Sequence, residues 1–255
     1  MSQDAVLSCS GLSVVLGSGK TRREIIKDLS FTAGTGEFVS IVGSSGTGKT
    51  TLLRALCGLL PVAADTVSFE GKPVKDVPDG IVLLFQDFVG SLLPWRSVER
   101  NVALGIESKV RGPERQERVS SALRMVGLDH RARDLPSHLS GGMQQRVQIA
   151  RALAMRPRAL LMDEPFGALD AITKGQLQDQ LQGLCQASDL TVVFVTHDVE
   201  EAVYLSDRVL VLGGSPAAVR REFKIPLARP RTQLDTRGSA EFIELRHAIH
   251  EALGQ

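Results

Sequence analysis

The segment Gly43-Ser44-Ser45-Gly46-Thr47-Gly48-Lys49-Thr50 follows directly on the apolar run Phe38-Val39-Ser40-Ile41-Val42 and precedes a helix-forming stretch from Thr51 to Leu59. A glycine-rich turn between a strand and a helix fits the phosphate-binding pattern G-x-x-x-x-G-K-[ST] in the context that pattern requires. It commits this part of the chain to an α/β unit. The glycines let backbone N–H groups turn inward toward phosphate oxygens, and the helix N-terminus adds positive potential there. Lys49 is placed to bridge the outer phosphates and the Thr50 hydroxyl to hold Mg²⁺. Gly43 to Thr50, with Thr51 counted among them, are the expected contacts to a nucleoside triphosphate.

With 255 residues the chain has room for an α/β domain plus a smaller subdomain, and for a core that needs no disulfide or structural metal. Thirty basic residues against twenty-nine acidic ones leave no field that calls for nucleic acid or anionic lipid. Cys9, Cys57 and Cys185 are widely spaced and odd in number, which suits reduced thiols rather than a disulfide framework or a C-x-x-C metal site. The strongest apolar run, Ile81 to Phe85, is the size of a strand and far too short to span a bilayer. The stretch from Ala5 to Leu16 follows Asp4 and no basic cluster, so it reads as a strand rather than a signal peptide. The expectation is a soluble protein, or one attached to a membrane through something else.

Apolar runs at 12–16, 25–32, 37–42 and 66–70 predict an early β-rich layer, punctuated by Gly/Ser turns at 17–19 and 34–36. The strand 81–85 gives way to a Gly/Pro-broken stretch from Gln86 to Arg96. The middle of the chain reads as helical. Pro113 suits a first turn, and Val119, Ala122, Leu123 and Val126 follow at the spacing of one helix face. Met143, Val147, Ala150 and Ala154 make a second stripe, and Leu177, Leu181 and Leu184 a third. Further strands are expected at Ala159–Met162, Thr191–Val195 and Arg208–Leu212, with a helix at Val199–Leu205. Strands alternating with helices predict a parallel sheet covered on both faces. The arginine-rich tail from Pro216 reads as mostly a solvated surface segment, closed by an amphipathic helix on Phe242, Leu245 and Ile249.

Leu160-Leu161-Met162-Asp163-Glu164-Pro165 is an apolar strand ending in two carboxylates. Ligands of open parallel sheets bind at the carboxyl ends of the strands, so Asp163 is expected to reach Mg²⁺ through water and Glu164 to act as general base. Leu139-Ser140-Gly141-Gly142-Met143-Gln144-Gln145-Arg146 opens a helix with a good N-cap at Ser140 and bare first-turn N–H groups at Gly141 and Gly142. That is a second phosphate-binding helix end in the same chain.

On these motifs the chain resembles the nucleotide-binding subunits of ATP-binding-cassette (ABC) transporters, from about residue 5 to 253. Their signature sequence is similar to Leu139–Arg146 and their catalytic strand to Leu160–Glu164. The resemblance implies that Gln86 senses Mg²⁺ and the attacking water, that Asp170 in Ala168-Leu169-Asp170 belongs to a loop contacting a partner subunit, and that His197 touches the γ-phosphate. Phe85-Gln86-Asp87, Leu92-Leu93-Pro94-Trp95-Arg96 and Glu164 to Ala171 resemble one importer subfamily, which serves nitrate, sulfonate, taurine and related small solutes. Leu92, Leu93 and Trp95 are expected to dock on a membrane partner, because they place large apolar groups in a broken segment. Relatives stack adenine on an aromatic residue where this chain has Val15 or Leu16, and they often carry Gln where it has His138.

The expected fold is thus α/β: a P-loop NTPase core with a parallel sheet, an N-terminal antiparallel β layer and a helical subdomain, that is, an ABC nucleotide-binding domain. A single domain is expected over 1–255, with a catalytic core at about 5–89 and 156–213, a helical subdomain at about 90–155 and a tail at 214–255 carrying the amphipathic helix. The resemblance implies an ATPase with ATP and Mg²⁺ as cofactors, working as a head-to-tail homodimer with ATP at the interface. Its partners would be integral membrane permease subunits and a solute-binding protein, with no nucleic acid. It would sit peripherally on the cytoplasmic face of the cell membrane. An ABC exporter subunit and a soluble, non-transport ABC ATPase are the alternative readings. Near-zero net charge and the Leu92–Trp95 segment weigh against them.

Overall fold

The computed structural model describes residues 5–63, 65–86 and 90–254. The first half of the chain forms β1 (Ala5–Leu16), β2 (Arg23–Gly34), β3 (Phe38–Val42), α1 (Lys49–Leu56), β4 (Val67–Phe69), β5 (Lys72–Pro73), β6 (Ile81–Leu84), α2 (Val98–Ala103) and α3 (Gly112–Met125). There follow α4 (Gly141–Ala154), β7 (Ala159–Asp163), α5 (Ala171–Ala187), β8 (Thr191–Thr196), α6 (Val199–Leu205), β9 (Arg208–Gly213), β10 (Ala218–Lys224), α7 (Asp235–Gly238) and α8 (Ala240–Gly254). The chain divides into one unit of Met1–Leu83, Arg158–Asp163 and Gln182–Gln255, and a second of Leu84–Pro157 and Glu164–Leu181.

The first unit holds two sheets. One is six-stranded in the order β10-β9-β3-β8-β7-β6, with β3 parallel to β8 and β9, and β7 parallel to β8. Every residue of β3, β7 and β8 is buried, as in strands covered on both faces, and their aliphatic and β-branched runs suit that setting. Ser40 is the polar exception within β3, and its hydroxyl is hydrogen-bonded to that of Ser206. The other sheet is antiparallel, in the order β2-β1-β4-β5. Its inward residues Leu7, Leu12, Val14, Ile26 and Leu29 join Ile41, Leu52, Leu56, Leu161 and Val193 in a single buried cluster.

In the second unit, α2, α3 and α4 pack on one another. Pro113 lies in the first turn of α3, and Val119, Ala122 and Leu123 are buried. Asn101 on α2 is fully buried: its side chain accepts from Leu93 N at 2.8 Å and donates to Leu93 O at 3.1 Å and to Arg96 O at 2.9 Å. Arg151 on α4 donates to Asn101 O at 3.0 Å and to Ser91 O at 2.9 Å.

Three expectations change. The helix predicted from Thr51 to Leu59 begins at Lys49, because Gly48 in a left-handed conformation caps it, and ends at Leu56. The parallel sheet gains an antiparallel edge strand, β10, paired with β9 from Ala218↔Gly213 to Lys224↔Arg208. The tail is solvated only in part: Arg220 and Arg221 are exposed, but Phe223, Ile225, Leu227 and Arg231 are buried. Arg231 is buried, and its guanidinium donates to the carbonyls of Leu227, Val203, Tyr204, Ser206 and Ile225 at 2.8–3.5 Å. Burial pushes its pKa down to about 10, and the guanidinium stays charged at neutral pH. A fork of donors meeting carbonyls at the end of α6 makes that burial tolerable. Phe242 and Ile249 on α8 are buried as expected, whereas Leu245 is only half-buried.

Replacing Arg231 by Met fills similar space and strips those carbonyls of their donors. It is expected to lower the unfolding free energy by about 3 kcal/mol, the scale of one or two buried acceptors left unpaired. Denaturant titration checks this; a change below about 0.5 kcal/mol, typical of a surface substitution, would contradict the buried role.

Candidate functional site

In the first unit, β3 leads into the glycine-rich loop. Gly46 and Gly48 have φ of 80° and 93°, values that side-chain-bearing residues rarely adopt. A Cβ on Gly48 would lie 2.8 Å from Ile25 Cγ2 on β2, and one on Gly43 would lie 3.2 Å from the Leu212 carbonyl oxygen on β9. Ser44, Ser45 and Gly46 form the exposed crest of the loop, while Thr47, Gly48, Thr50 and Thr51 are half-buried. Lys49 is buried, and its Nζ donates to Gly43 O at 2.8 Å and Ser44 O at 3.0 Å. No side chain caps α1 and its first turn carries no acid, so the positive helix end is left to the loop. These features fit a phosphate chain: a glycine cradle, a helix N-terminus and an ammonium folded inside.

Asp163 is the buried last residue of β7 and pairs with Val195, while Val42 pairs with Thr196. Asp163, the loop and His197 therefore sit at the carboxyl ends of three adjacent parallel strands, where open α/β sheets bind ligands. His197 is exposed, on a turn flanked by hydrogen-bonded residues. Thr196 Oγ1 donates to Glu201 Oε2 at 2.8 Å, and Asp198 caps α6 by accepting from Glu200 N at 2.9 Å and Glu201 N at 3.3 Å.

Val15 and Leu16, at the end of β1, pair with Glu24 and Arg23, next to the Ile25 that abuts Gly48. Both are exposed, at 40% and 38%, so an apolar platform stands beside the loop without an aromatic ring.

The second unit brings together other candidates. Gln86 Nε2 donates to Glu164 Oε2 at 3.2 Å. Glu164 has φ of 46°, a strained conformation for a residue with a side chain and one that recurs at functional positions. Ser140 caps α4, accepting from Met143 N at 3.3 Å, and Gly141 beside it is exposed. A Cβ on Gly142 would come within 3.1 Å of the Ala168 carbonyl oxygen, so the helix end packs tightly on the 168–170 loop. Gln145, not singled out from the sequence, accepts from Ala168 N at 3.2 Å. Its place one turn into the Ser140-Gly141-Gly142 helix was the signal available. Asp170 caps α5, accepting from Thr173 N at 3.0 Å, and the bonds from Thr173 hold its carboxyl below the usual range. Burial lowers the pKa of Arg146, and the Asp170 charge works against that shift.

The docking segment is partly corrected. Leu92 is buried and so is not a free contact; Leu93 has its main chain tied to Asn101 and its side chain half-buried, and Trp95 is 74% exposed. Asp87, the third residue of the Phe85-Gln86-Asp87 motif, lies outside the described residues.

The model of the ABC transporter family matches residues 26–167. The chain belongs to that family. It is 43% identical to the aliphatic sulfonates import ATP-binding protein SsuB 1 of Xanthomonas axonopodis pv. citri, over 88% of this chain and 90% of that protein. It is also 43% identical to the nitrate import ATP-binding protein NrtC of Synechococcus elongatus, over 90% of this chain but 35% of that protein. The chain thus spans about a third of the length of the nitrate and bicarbonate relatives that it matches. Among solved structures, a dimeric bacterial ABC transporter cassette, MJ0796, is similar with a TM-score of 0.77 and 33% identity, covering 87% of this chain and all of that one. A post-hydrolysis dimer of the same cassette, bound to ADP and Pi, gives a TM-score of 0.76 at 32% identity. This chain is therefore an ATP-binding cassette with the α/β fold of that family.

An aromatic ring on the platform should strengthen base contact. Leu16→Tyr is expected to tighten ATP by roughly 0.5–1.5 kcal/mol, the worth of an aromatic stack beyond area burial. Titration with a fluorescent ATP analogue checks it, and unchanged affinity would mean that another residue covers the adenine.

Proposed function

We propose that the chain is the ATP-hydrolysing motor of an ABC importer, coupling ATP turnover to uptake of a small solute of the nitrate, sulfonate or taurine kind through a separate membrane permease. The observation that carries this reading is the convergence of the Lys49 loop, Asp163 and His197 at adjacent strand ends. The sulfonate importer subunit, matched over nearly its whole length, supports the importer class.

Hydrolysis of this kind is mainly positioning and electrostatics. Backbone N–H groups from Gly43 to Thr51 and the Lys49 ammonium hold the phosphates. Mg²⁺, when bound, would be held by the Thr50 hydroxyl, Asp163 and Gln86 and would supply charge neutralisation to the phosphates. Glu164 takes the proton of the attacking water, and the bond from Gln86 orients its carboxylate. His197 contacts the terminal phosphate.

The helix end at Ser140, Gly141 and Gly142, where Ser140 and Gly141 are exposed, serves the ATP of a second copy in a head-to-tail homodimer, with Asp170 at the same contact. Dimeric assembly of the similar solved cassette supports that arrangement. Among the described residues no helix is long and apolar enough to cross a membrane. In this reading force passes to permease subunits at the cytoplasmic face, with Trp95 as the exposed docking group and a solute-binding protein completing the system.

Glu164→Gln is expected to keep ATP binding while lowering Mg²⁺-dependent turnover by roughly 10²–10⁴-fold, the usual worth of a general base. In the same variant, ATP should drive dimers visible by sedimentation. Wild-type turnover in Glu164→Gln, or a fully active monomer at saturating ATP, would contradict the assignment.

A further inference from the structure

α6 has only seven residues, and the turn bearing His197 runs straight into it. A helix that short has little stability of its own, so its placement depends on what packs against it. Residues following β10 grip it at both ends. At its N-terminal end, Glu200 accepts from Arg237 at 3.1 Å through one carboxylate oxygen and from Arg246 at 2.8 Å through the other. The Arg237 guanidinium also lies 4.8 Å from the centroid of the Tyr204 ring, one turn further along α6. At the C-terminal end, Arg231 donates to Val203 O, Tyr204 O and Ser206 O, and the Tyr204 hydroxyl donates to Arg231 O at 3.2 Å. Arg229 adds a bond to Leu205 O at 3.0 Å.

The adjacent acids on α6 face different structures. Glu201 is buried and bound to Thr196, the last residue of β8, whereas Glu200 is held by the arm. His197 stands on the turn between those attachments.

We propose that the arm formed by residues 225–254 positions His197, acting through a clamp centred on Glu200. The Glu200 ion pairs are partly exposed, and such pairs add little to stability. Their effect is directional: the two arginines come from α7 and α8, and together they fix the rotation of α6 and thereby the turn that carries the imidazole. Small displacements of a positioning group lower turnover more than they lower stability. Glu200, Arg237 and Arg246 are thus positioning residues for a histidine that itself touches substrate. This rests on the reading of the chain as an ATPase in which His197 contacts the terminal phosphate.

The test is a double-mutant cycle on the full chain, with Glu200→Gln, His197→Ala and both together, measured as Mg²⁺-dependent ATP turnover. Glu200→Gln is expected to lower kcat by about 3- to 30-fold, the range of coupling between residues that act through one another, with little change in KM. In the His197→Ala background the same substitution should do nothing more. Unchanged kcat in Glu200→Gln, or an equal loss in both backgrounds, would overturn the clamp. The imidazole ¹⁵N resonances of His197 provide a readout independent of turnover and should shift or broaden in Glu200→Gln. If the wild-type chain hydrolyses no ATP, the ATPase reading fails and the resonances decide the clamp: His197 signals unmoved by Glu200→Gln would overturn it.

Discussion

The turn from β3 into α1 is the constraint on which the rest of the first unit depends. Its loop must pass through left-handed φ at Gly46 and Gly48 while lying against Ile25 of the antiparallel sheet and Leu212 of the parallel one. Neither sheet alone would shape it. The shared core joining Ile26 and Leu29 to Ile41, Leu52 and Val193 keeps the two walls at the spacing the loop needs. A methyl group at Gly48 would collide with one wall, and one at Gly43 would crowd the other, so the glycines reflect closeness of approach as much as turn geometry. With the loop fixed in this way, Lys49 is buried among the carbonyls of its own loop.

The second unit follows a different physical logic. Its candidate residues sit on short loops and a helix end tied by side-chain hydrogen bonds rather than on buried strands. Glu164 holds a backbone conformation that costs on the order of 1–3 kcal/mol for a residue with a side chain. Glycine would adopt it freely, so a glutamate there points to its carboxylate. The bond from Gln86, the bond from Gly167 N to Glu164 O at 3.3 Å and the burial of Phe166 hold the residue in place. The 168–170 loop is likewise defined by Gln145 and by the approach of Gly142.

Much of this was legible in the sequence wherever a single period or a single turn decides the structure. The apolar runs at 37–42 and 159–162 are buried strands, the stripe on Val119, Ala122 and Leu123 is a helix face, and Asp163 ends its strand beside its parallel neighbours. What was not legible depends on pairing across long sequence separations. Arg231 looks solvated in a charged tail, and only the carbonyls of Val203, Tyr204 and Ser206 explain why it is buried. β10 is half charged, with Arg220, Arg221 and Glu222 in its centre, because it is an edge strand with a side open to water. Leu92 reads as a docking group in the sequence, but Asn101 and Arg151 fasten the main chain on either side of it and its side chain is buried.

The central claim is that the loop from Gly43 to Thr50, with Lys49 inside it, is what binds the nucleotide. Calorimetric titration of Mg²⁺-ATP into the wild-type chain and into Lys49→Ala is the most direct measurement. Saturable binding of one ATP per wild-type chain, lost or severely weakened in a Lys49→Ala protein that remains folded, is the predicted result. Equal affinity in the two proteins would place the phosphates elsewhere and contradict the claim.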